Sequence, residues 1–405
     1  MRVLFLWLRR GAGLLIFATI AGFLLAIAAT THPWLLDADW GLRYSASAVI
    51  IFSPFLAAVV AYDVSRRFNP TLAEVARESS RGSFAIFLPM TAVFLWALAA
   101  TAVSWAVIGI MVAKSGGVGA GDPWIYLETM SAYAAAAAVG TLVGNHVKGV
   151  TAVAIAAGIV LAAATVLGGQ GIKAFQVVTS TGTLIGIERT PARAALAIAV
   201  NLSIAILCIA AARLTNGVKP PSRLALGALS IPLVATLALH MTLPIRDSEY
   251  RPTRQAQACV GSSPVVCGPA RATNLLRGAQ GDLSAARLKL RNSELALPDR
   301  FVVARGDAVR TLGSSATALD YDPSSLVDGH LGRDVIFQAF ATPRVCEAFF
   351  HDATGTEYLK LTSTVTDWLK KALEPGPGPG EAAPAAVRVA YAKLATCPTA
   401  AAPVQ

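Results

Sequence analysis

Residues 84–113 read FAIFLPMTAVFLWALAATAVSWAVIGIMVA, without one Asp, Glu, Lys or Arg. An α-helix needs roughly 20 apolar residues to cross about 30 Å of hydrocarbon, and this run is longer. Six more stretches of similar character lie around it, at 12–30, 46–62, 128–147, 150–168, 194–212 and 224–243. Exposed backbone polar groups are intolerable in lipid, so the runs are expected to be helices, and no alternating pattern supports a barrel. Pro89, near the start of the longest run, predicts a bend or an interfacial first turn there. The composition agrees with a membrane protein, since 55% of the 405 residues are hydrophobic and 14% are charged. Soluble chains carry about 25% charged residues.

The net charge of +10 is topological. Residues 1–245 hold 16 Lys and Arg against 8 Asp and Glu, scattered between apolar runs and not clustered into a nucleic-acid-binding stripe. With a cytoplasmic N-terminus, the inside segments hold Arg2, Arg9, Arg10, Arg66, Arg67, Arg77, Arg81, Lys148, Arg213, Lys219 and Arg223. The outside loops then hold only Arg43, Lys114, Lys173, Arg189 and Arg193, as the positive-inside rule asks. Residues 12–30 are too long for a signal-peptide core and are read as a span. Seven crossings place residues 245–405 outside. The expected fold is a polytopic α-helical membrane protein of about seven transmembrane helices (residues 1–244), followed by a C-terminal α+β extracytoplasmic domain (245–405).

Cysteine placement tests that topology, because disulfides persist outside the cytoplasm. Cys208 falls within a span, while Cys259, Cys267, Cys346 and Cys397 all follow the last one. Four cysteines allow three pairings, of which Cys259 with Cys267 and Cys346 with Cys397 is favoured. The Cys/His spacing is too loose for zinc. In the same tail, Leu276, Ala279, Leu283, Ala286 and Leu290 recur at helical spacing, predicting an amphipathic helix with one buried face. Val265-Val266 and 301–304 read as strands, 334–340 and 364–373 as helices, and 386–394 as either.

No ionisable side chain is expected well inside a span, which argues against ion-coupled transport. Asn201 and Ser203 form the main polar pair at depth and suggest interhelical hydrogen bonds. No nucleotide-binding loop occurs, and the glycine-rich run 116–121 reads as a flexible linker. No cofactor or metal is expected. Three candidates for chemistry remain. Asp37 and Asp39 in the first outside loop could serve a membrane glycosyltransferase using a lipid-linked sugar, although acids beside Trp34 and Trp40 also suit a solvated interface loop. His330, His351, Asp352 and Glu357 could assemble a hydrolytic or metal site in a receptor-like outer domain, without any supporting motif. The third candidate is the second cytoplasmic loop.

That loop holds Thr71-Leu72-Ala73-Glu74, a capping box just after Pro70, and then Val75, Arg77, Glu78 and Arg81. It predicts a short amphipathic helix lying on the membrane or against a partner. The stretch Ser53-Pro54-Phe55-Leu56-Ala57-Ala58-Val59-Val60-Ala61-Tyr62-Asp63-Val64-Ser65-Arg66-Arg67, the capped helix after it and the long third span resemble the permease subunit of type-2 ATP-binding-cassette exporters. The basic start Met1–Arg10 and the outside segment 169–192 extend the likeness over residues 1–215. The resemblance implies that Asp63, Arg66 and Arg67 mark the membrane boundary. It also implies that Thr71, Leu72, Glu74, Val75, Arg77, Glu78 and Arg81 form a coupling helix docking on a separate ATPase subunit. A second permease copy or homologue would complete a path for an amphipathic or hydrophobic cargo, and the chain itself would do no chemistry. The additional span and the exported domain depart from the family, which leaves a membrane-anchored accessory or sensor protein with a ligand-binding outer domain as the alternative.

Overall fold

The computed structural model describes residues 12–30, 35, 37–67, 87–119, 121–169, 172, 174–177, 185, 187–215, 234–235, 238, 250–252, 256–303, 316–319, 326–327, 330–343, 352–374 and 382–396. Two units emerge, Met1–Thr181 with Thr190–Asp247, and Gly182–Arg189 with Ser248–Gln405. The first is helical: α1 (Gly13–Thr30), α2 (Ala38–Ala46), α3 (Val49–Arg67), α4 (Leu88–Lys114), α5 (Pro123–His146), α6 (Val150–Gly169) and α7 (Pro191–Thr215). Five of these, α1, α3, α4, α6 and α7, are long and apolar enough to cross a membrane, so the chain is a multi-pass helical membrane protein. Each matches an apolar run within a few residues. Pro89 sits in the first turn of α4, where its missing N–H costs nothing. The seventh run, 224–243, lies almost wholly outside the described residues.

Helix α5 is less apolar than its neighbours because it occupies the middle of the bundle. It packs on α3, α4, α6 and α7 and buries Glu128, Thr129, Ser131 and Tyr133 among alanines and glycines. A helix shielded from lipid can carry polar groups that a peripheral one cannot. By contrast, α1 and α6 keep Leu15, Phe23, Ile159, Leu161 and Val166 exposed, as a lipid-facing surface requires.

Helices α3 and α5 approach backbone to backbone. A Cβ placed on Gly140 would lie 2.3 Å from the Ala57 carbonyl oxygen, and one on Gly144 would lie 2.6 Å from that of Ala61. Glycines four apart on one helix, facing alanines four apart on the other, let the backbones approach within lipid, where packing replaces the hydrophobic effect. Both helices start at the same end of the bundle, because residue 57 faces 140 and residue 61 faces 144.

The second unit centres on a four-stranded sheet in the order β3 (Gln257–Val260), β4 (Val265–Pro269), β5 (Arg300–Val303), β6 (Thr317–Leu319). Preceding them are β1 (Ile187–Arg189) and β2 (Tyr250–Pro252), which pair antiparallel with each other. The hairpin β3–β4 is antiparallel, and Cys259 faces Cys267 in register and is bonded to it. The pairs β4–β5 and β5–β6 are parallel, so the chain must cross over between β4 and β5. Helix α8 (Thr273–Lys289) makes that crossover and buries Leu275, Leu276, Ala279, Leu283 and Ala286, the face that its sequence period predicts. A short hairpin, β7 (Leu326–Val327) with β8 (His330–Leu331), then leads to α9 (Arg333–Ala341), α10 (Asp352–Ala372) and α11 (Ala385–Ala395). Phe301 of β5 and Phe340 of α9 stack edge to face at 5.5 Å, both fully buried. The segment that periodicity leaves open at 386–394 is helical, with Val387, Ala390, Tyr391 and Leu394 inward. Burial raises the Tyr391 phenol well above its ordinary range, against a smaller lowering by Arg287. Cys346 and Cys397 lie outside the described residues.

Two outcomes follow from this packing. Gly140→Ala should lower the stability of the detergent-solubilised chain by about 1–3 kcal/mol, as overpacking does. Gly22→Ala, where nothing lies within 4 Å, should leave the thermal midpoint unchanged or raise it. Replacing Cys259 and Cys267 together by alanine removes a cross-link of sequence separation 8. It should destabilise the second unit by about 2–3 kcal/mol, read as faster proteolysis within residues 256–303.

Candidate functional site

The alternating directions of the long helices bring the described residues 37–48, 115–119, 121–122 and 172–177 to one end of the bundle. There, α2 is buried on all sides and stapled by carboxylates. Asp37 caps it, accepting the backbone N–H groups of Asp39 and Trp40 at 3.1 and 3.2 Å. Asp39 accepts the N–H of Gly121 at 3.0 Å, and the N–H of Ala38 donates to the Val118 carbonyl at 2.8 Å. The loop 115–122, expected to be a flexible linker, is therefore fastened to α2. Its glycines serve backbone geometry, with positive φ at Gly116, Gly119 and Gly121. Asp37 and Asp39 are buried, not solvated, and both hold backbone, so the glycosyltransferase reading gains no support from them.

Arg43 sits at the centre of this cluster with none of its side chain exposed. Its guanidinium lies 3.3 Å from Asp122 and 3.9 Å from Glu128. Trp105 closes one side, donating its indole N–H to Ser45 at 2.8 Å and stacking edge-on against Tyr126. Glu128 is the first residue of the apolar run 128–147, yet it is buried within α5. Helix α5 begins at Pro123, five residues earlier than the apolar run suggested, which puts the carboxylate about 7–8 Å inside the helix. A buried guanidinium is tolerated only when it is paired and hydrogen-bonded, and Arg43 joins α2 to α5 on that condition.

The second feature is the connection between α6 and α7. Ile172, Ala174, Phe175 and Val177 are buried, and Phe175 takes a positive φ of 57°, an unusual conformation for a bulky residue. Its backbone N–H donates to Asn201 Oδ1 at 3.0 Å, and Asn201 Nδ2 donates to Ser131 Oγ at 3.3 Å. Ser131 in turn donates to the Glu128 carbonyl at 2.8 Å. Asn201 lies ten residues into α7 and Ser131 eight into α5, so Phe175 reaches about 12–15 Å inside the bundle. Gln176 donates to the Ala164 carbonyl of α6 at 3.3 Å, fixing the other side. The described segment is re-entrant in the bundle, its Phe175 N–H satisfied by a side chain and its Ile172 and Ala174 N–H groups by the carbonyls of Leu167 and Ile172. The expected polar pair of α7 is thus half right. Asn201 makes the interhelical bond and holds the loop besides, whereas Ser203 is simply buried.

At the opposite end, Asp63 is buried in the last turn of α3, and Arg66 is exposed, donating to the Tyr62 hydroxyl at 2.9 Å. Arg67 closes the helix. Thr71, Leu72, Glu74, Val75, Arg77, Glu78 and Arg81 lie outside the described residues. Of the candidate acids and imidazoles in the second unit, the described side chains of His330 and Glu357 each have their own partner. His330 Nδ1 donates to Asp282 of α8 at 2.9 Å, and Asp282 also accepts the Leu331 N–H at 2.7 Å. Glu357 accepts from Lys393 at 3.3 Å. His351 and the Asp352 side chain are outside the described residues. Among the described residues no group of three or more His, Cys, Asp or Glu could hold a metal ion.

Removing the cation should be costly. Arg43→Ala leaves Asp122 and Glu128 without it and should destabilise the chain by about 3–5 kcal/mol. Arg43→Met combined with Asp122→Asn and Glu128→Gln should restore most of the thermal midpoint. No protein-family model matches this chain, nor does any curated protein or solved structure.

Proposed function

We propose that the chain is the membrane-spanning permease subunit of an ATP-driven exporter, working with a separate ATPase and a second permease copy or homologue. The observation that carries this reading is the re-entrant segment hung from Asn201. Non-helical backbone at membrane depth is tolerated only where protein or a water-filled cavity surrounds it, and in transport proteins such breaks mark the path of the cargo. The α3–α5 contact supports the mechanical part of the proposal. Helix α3 runs directly into the loop that would carry the coupling helix Thr71–Arg81. Backbone contact at Gly140 and Gly144 would pass a push on that loop to α5 without slack. The cargo would be amphipathic or hydrophobic, since the bundle interior is rich in alanine and hydroxyl side chains.

The pairing of β1 with β2 supports a seventh crossing. Strand β1 ends one residue before Thr190, and α7 starts immediately after it. A chain that leaves α7 at Thr215 must return to the level of that helix's start by Tyr250. The apolar run 224–243 has 20 residues, about 30 Å if helical, which is enough for one crossing of the hydrocarbon. A cytoplasmic N-terminus in the plasma membrane and an extracytoplasmic Ser248–Gln405 complete the proposed arrangement. The accessory or sensor reading draws on a different observation, the separate core of the second unit around Phe301 and Phe340.

Affinity purification of the full chain from its own cells separates the two. The permease reading expects an ATP-binding-cassette ATPase at near-equal amount, cross-linking to Val75→Cys or Arg77→Cys, and lost when 72–78 are deleted. Recovery of the chain without any ATPase, or an ATPase that persists after the deletion, contradicts it and favours the accessory protein.

A further inference from the structure

The Cys259–Cys267 bond lies at the margin of the second unit's sheet. Strand β3 has β4 on one side and no described strand on the other. None of its four residues is fully buried, and Cys259 itself is exposed. Cys267, across from it, is 2% exposed, next to the fully buried Val266. One half of the pair is therefore open to a reagent, and the other is shielded.

The backbone bonds of β4 show what the disulfide reinforces. The Ala270 N–H donates to the Ala256 carbonyl at 2.8 Å, and the Val265 N–H donates to the Asp299 carbonyl at 2.8 Å. Successive residues of a strand turn their backbone groups to opposite sides, so Val266, Gly268 and Ala270 are bonded towards β3, and Val265 and Cys267 towards β5. The two cysteines thus face each other at a non-hydrogen-bonded position of the hairpin. Strand β3 is held by the pairs 258 with 268 and 260 with 266, by the Ala270 bond and by the disulfide, and its turn at Gly261 rests on Gln280 of α8. With no side chain fully buried, β3 depends on the covalent link more than β4 or β5 does. Exposed disulfides are the ones that thiols reduce, whereas shielded ones resist.

We propose that Cys259–Cys267 is a thiol-exchange site, at which a dithiol reductant opens the bond from the Cys259 side and frees β3 from the sheet. A thiolate of the dithiol attacks Cys259 Sγ, the bond between the two Sγ atoms breaks, and Cys267 leaves as a thiolate that takes up a proton. The second thiol of the reductant then displaces Cys259 from the mixed disulfide. Two electrons and two protons pass to the cysteine pair, and the reductant becomes a disulfide. Strand β4, its Val266 and Gly268 N–H groups released, becomes the edge of a sheet in which β4, β5 and β6 stay paired over the Phe301–Phe340 contact. This site lies wholly within the second unit and does not depend on the permease reading.

The test uses the full chain in lipid nanodiscs. Thioredoxin with its resolving cysteine changed to serine traps the mixed disulfide, and peptide mass spectrometry maps the adduct. In parallel, amide exchange is resolved at single residues before reduction by excess unaltered thioredoxin, after it, and after reoxidation. The proposal expects the adduct on Cys259, and exchange faster by about 30-fold or more at Val266, Gly268 and Ala270 on reduction, the constraint lost when a loop of this size is opened. Exchange at Cys267 and Phe301 should stay slow, and reoxidation should restore the rest. A bond that yields no adduct and survives thioredoxin in the folded chain overturns the proposal, as does an adduct on Cys267. Reduction that leaves 266, 268 and 270 unchanged overturns the release of β3. Acceleration at Cys267 and Phe301 to the same extent makes the bond a staple of the whole unit, and overturns the local release too.

Discussion

Every backbone N–H and C=O withdrawn from water must find a partner within the protein, and the first unit is arranged around that demand. Its long helices meet it internally. Among the described residues, two places where the chain stops being helical inside the bundle meet it in part with buried side chains. Asp37 and Asp39 serve the start of α2 and the loop at Gly121, and Asn201 serves Phe175. Each of these polar residues is itself costly to bury, so each is retained where it satisfies backbone that nothing else reaches. Helix α5, which carries Glu128, Ser131 and Tyr133, is accordingly the central one, where these groups are buried away from lipid.

The second unit solves a different problem. Its small sheet is held by an ordinary core of Val266, Leu276, Leu283, Phe301 and Phe340, reinforced by a covalent bond between facing cysteines on β3 and β4. Charged pairs such as Arg287 with Asp299 at 2.6 Å, and Arg388 with Glu294, lie on its surface and contribute little individually.

The spanning helices were legible because hydropathy is a sum over twenty positions and tolerates local exceptions. The amphipathic period of α8 and the facing cysteines of β3 and β4 were legible for a similar reason, each being a local pattern with one geometric consequence. The charged cluster was not legible. Arg43 reads as one more basic residue in a short loop, and Glu128 fell at the edge of an apolar run whose helix starts five residues sooner. Nothing local distinguishes a solvated Asp37 from one that caps a buried helix, since its partners are its own neighbours in either case. The re-entrant segment was hidden because an aperiodic connection gives no sign of the depth at which it lies. Asn201 was the one clue, and it pointed to a bond between helices without naming the loop. The pairing of β1 with β2 rests on a partner about sixty residues away, beyond any pattern in the strand itself.

Amide hydrogen exchange of the full chain in lipid nanodiscs, resolved at single residues from 172 to 177, bears most directly on the claim that side chains inside the bundle hold this backbone. The account predicts that the Phe175 amide exchanges as slowly as the amides in the middle of α7, and that Asn201→Ala speeds it by orders of magnitude. A Phe175 amide that exchanges at the rate of a solvated loop in the unaltered chain would contradict it.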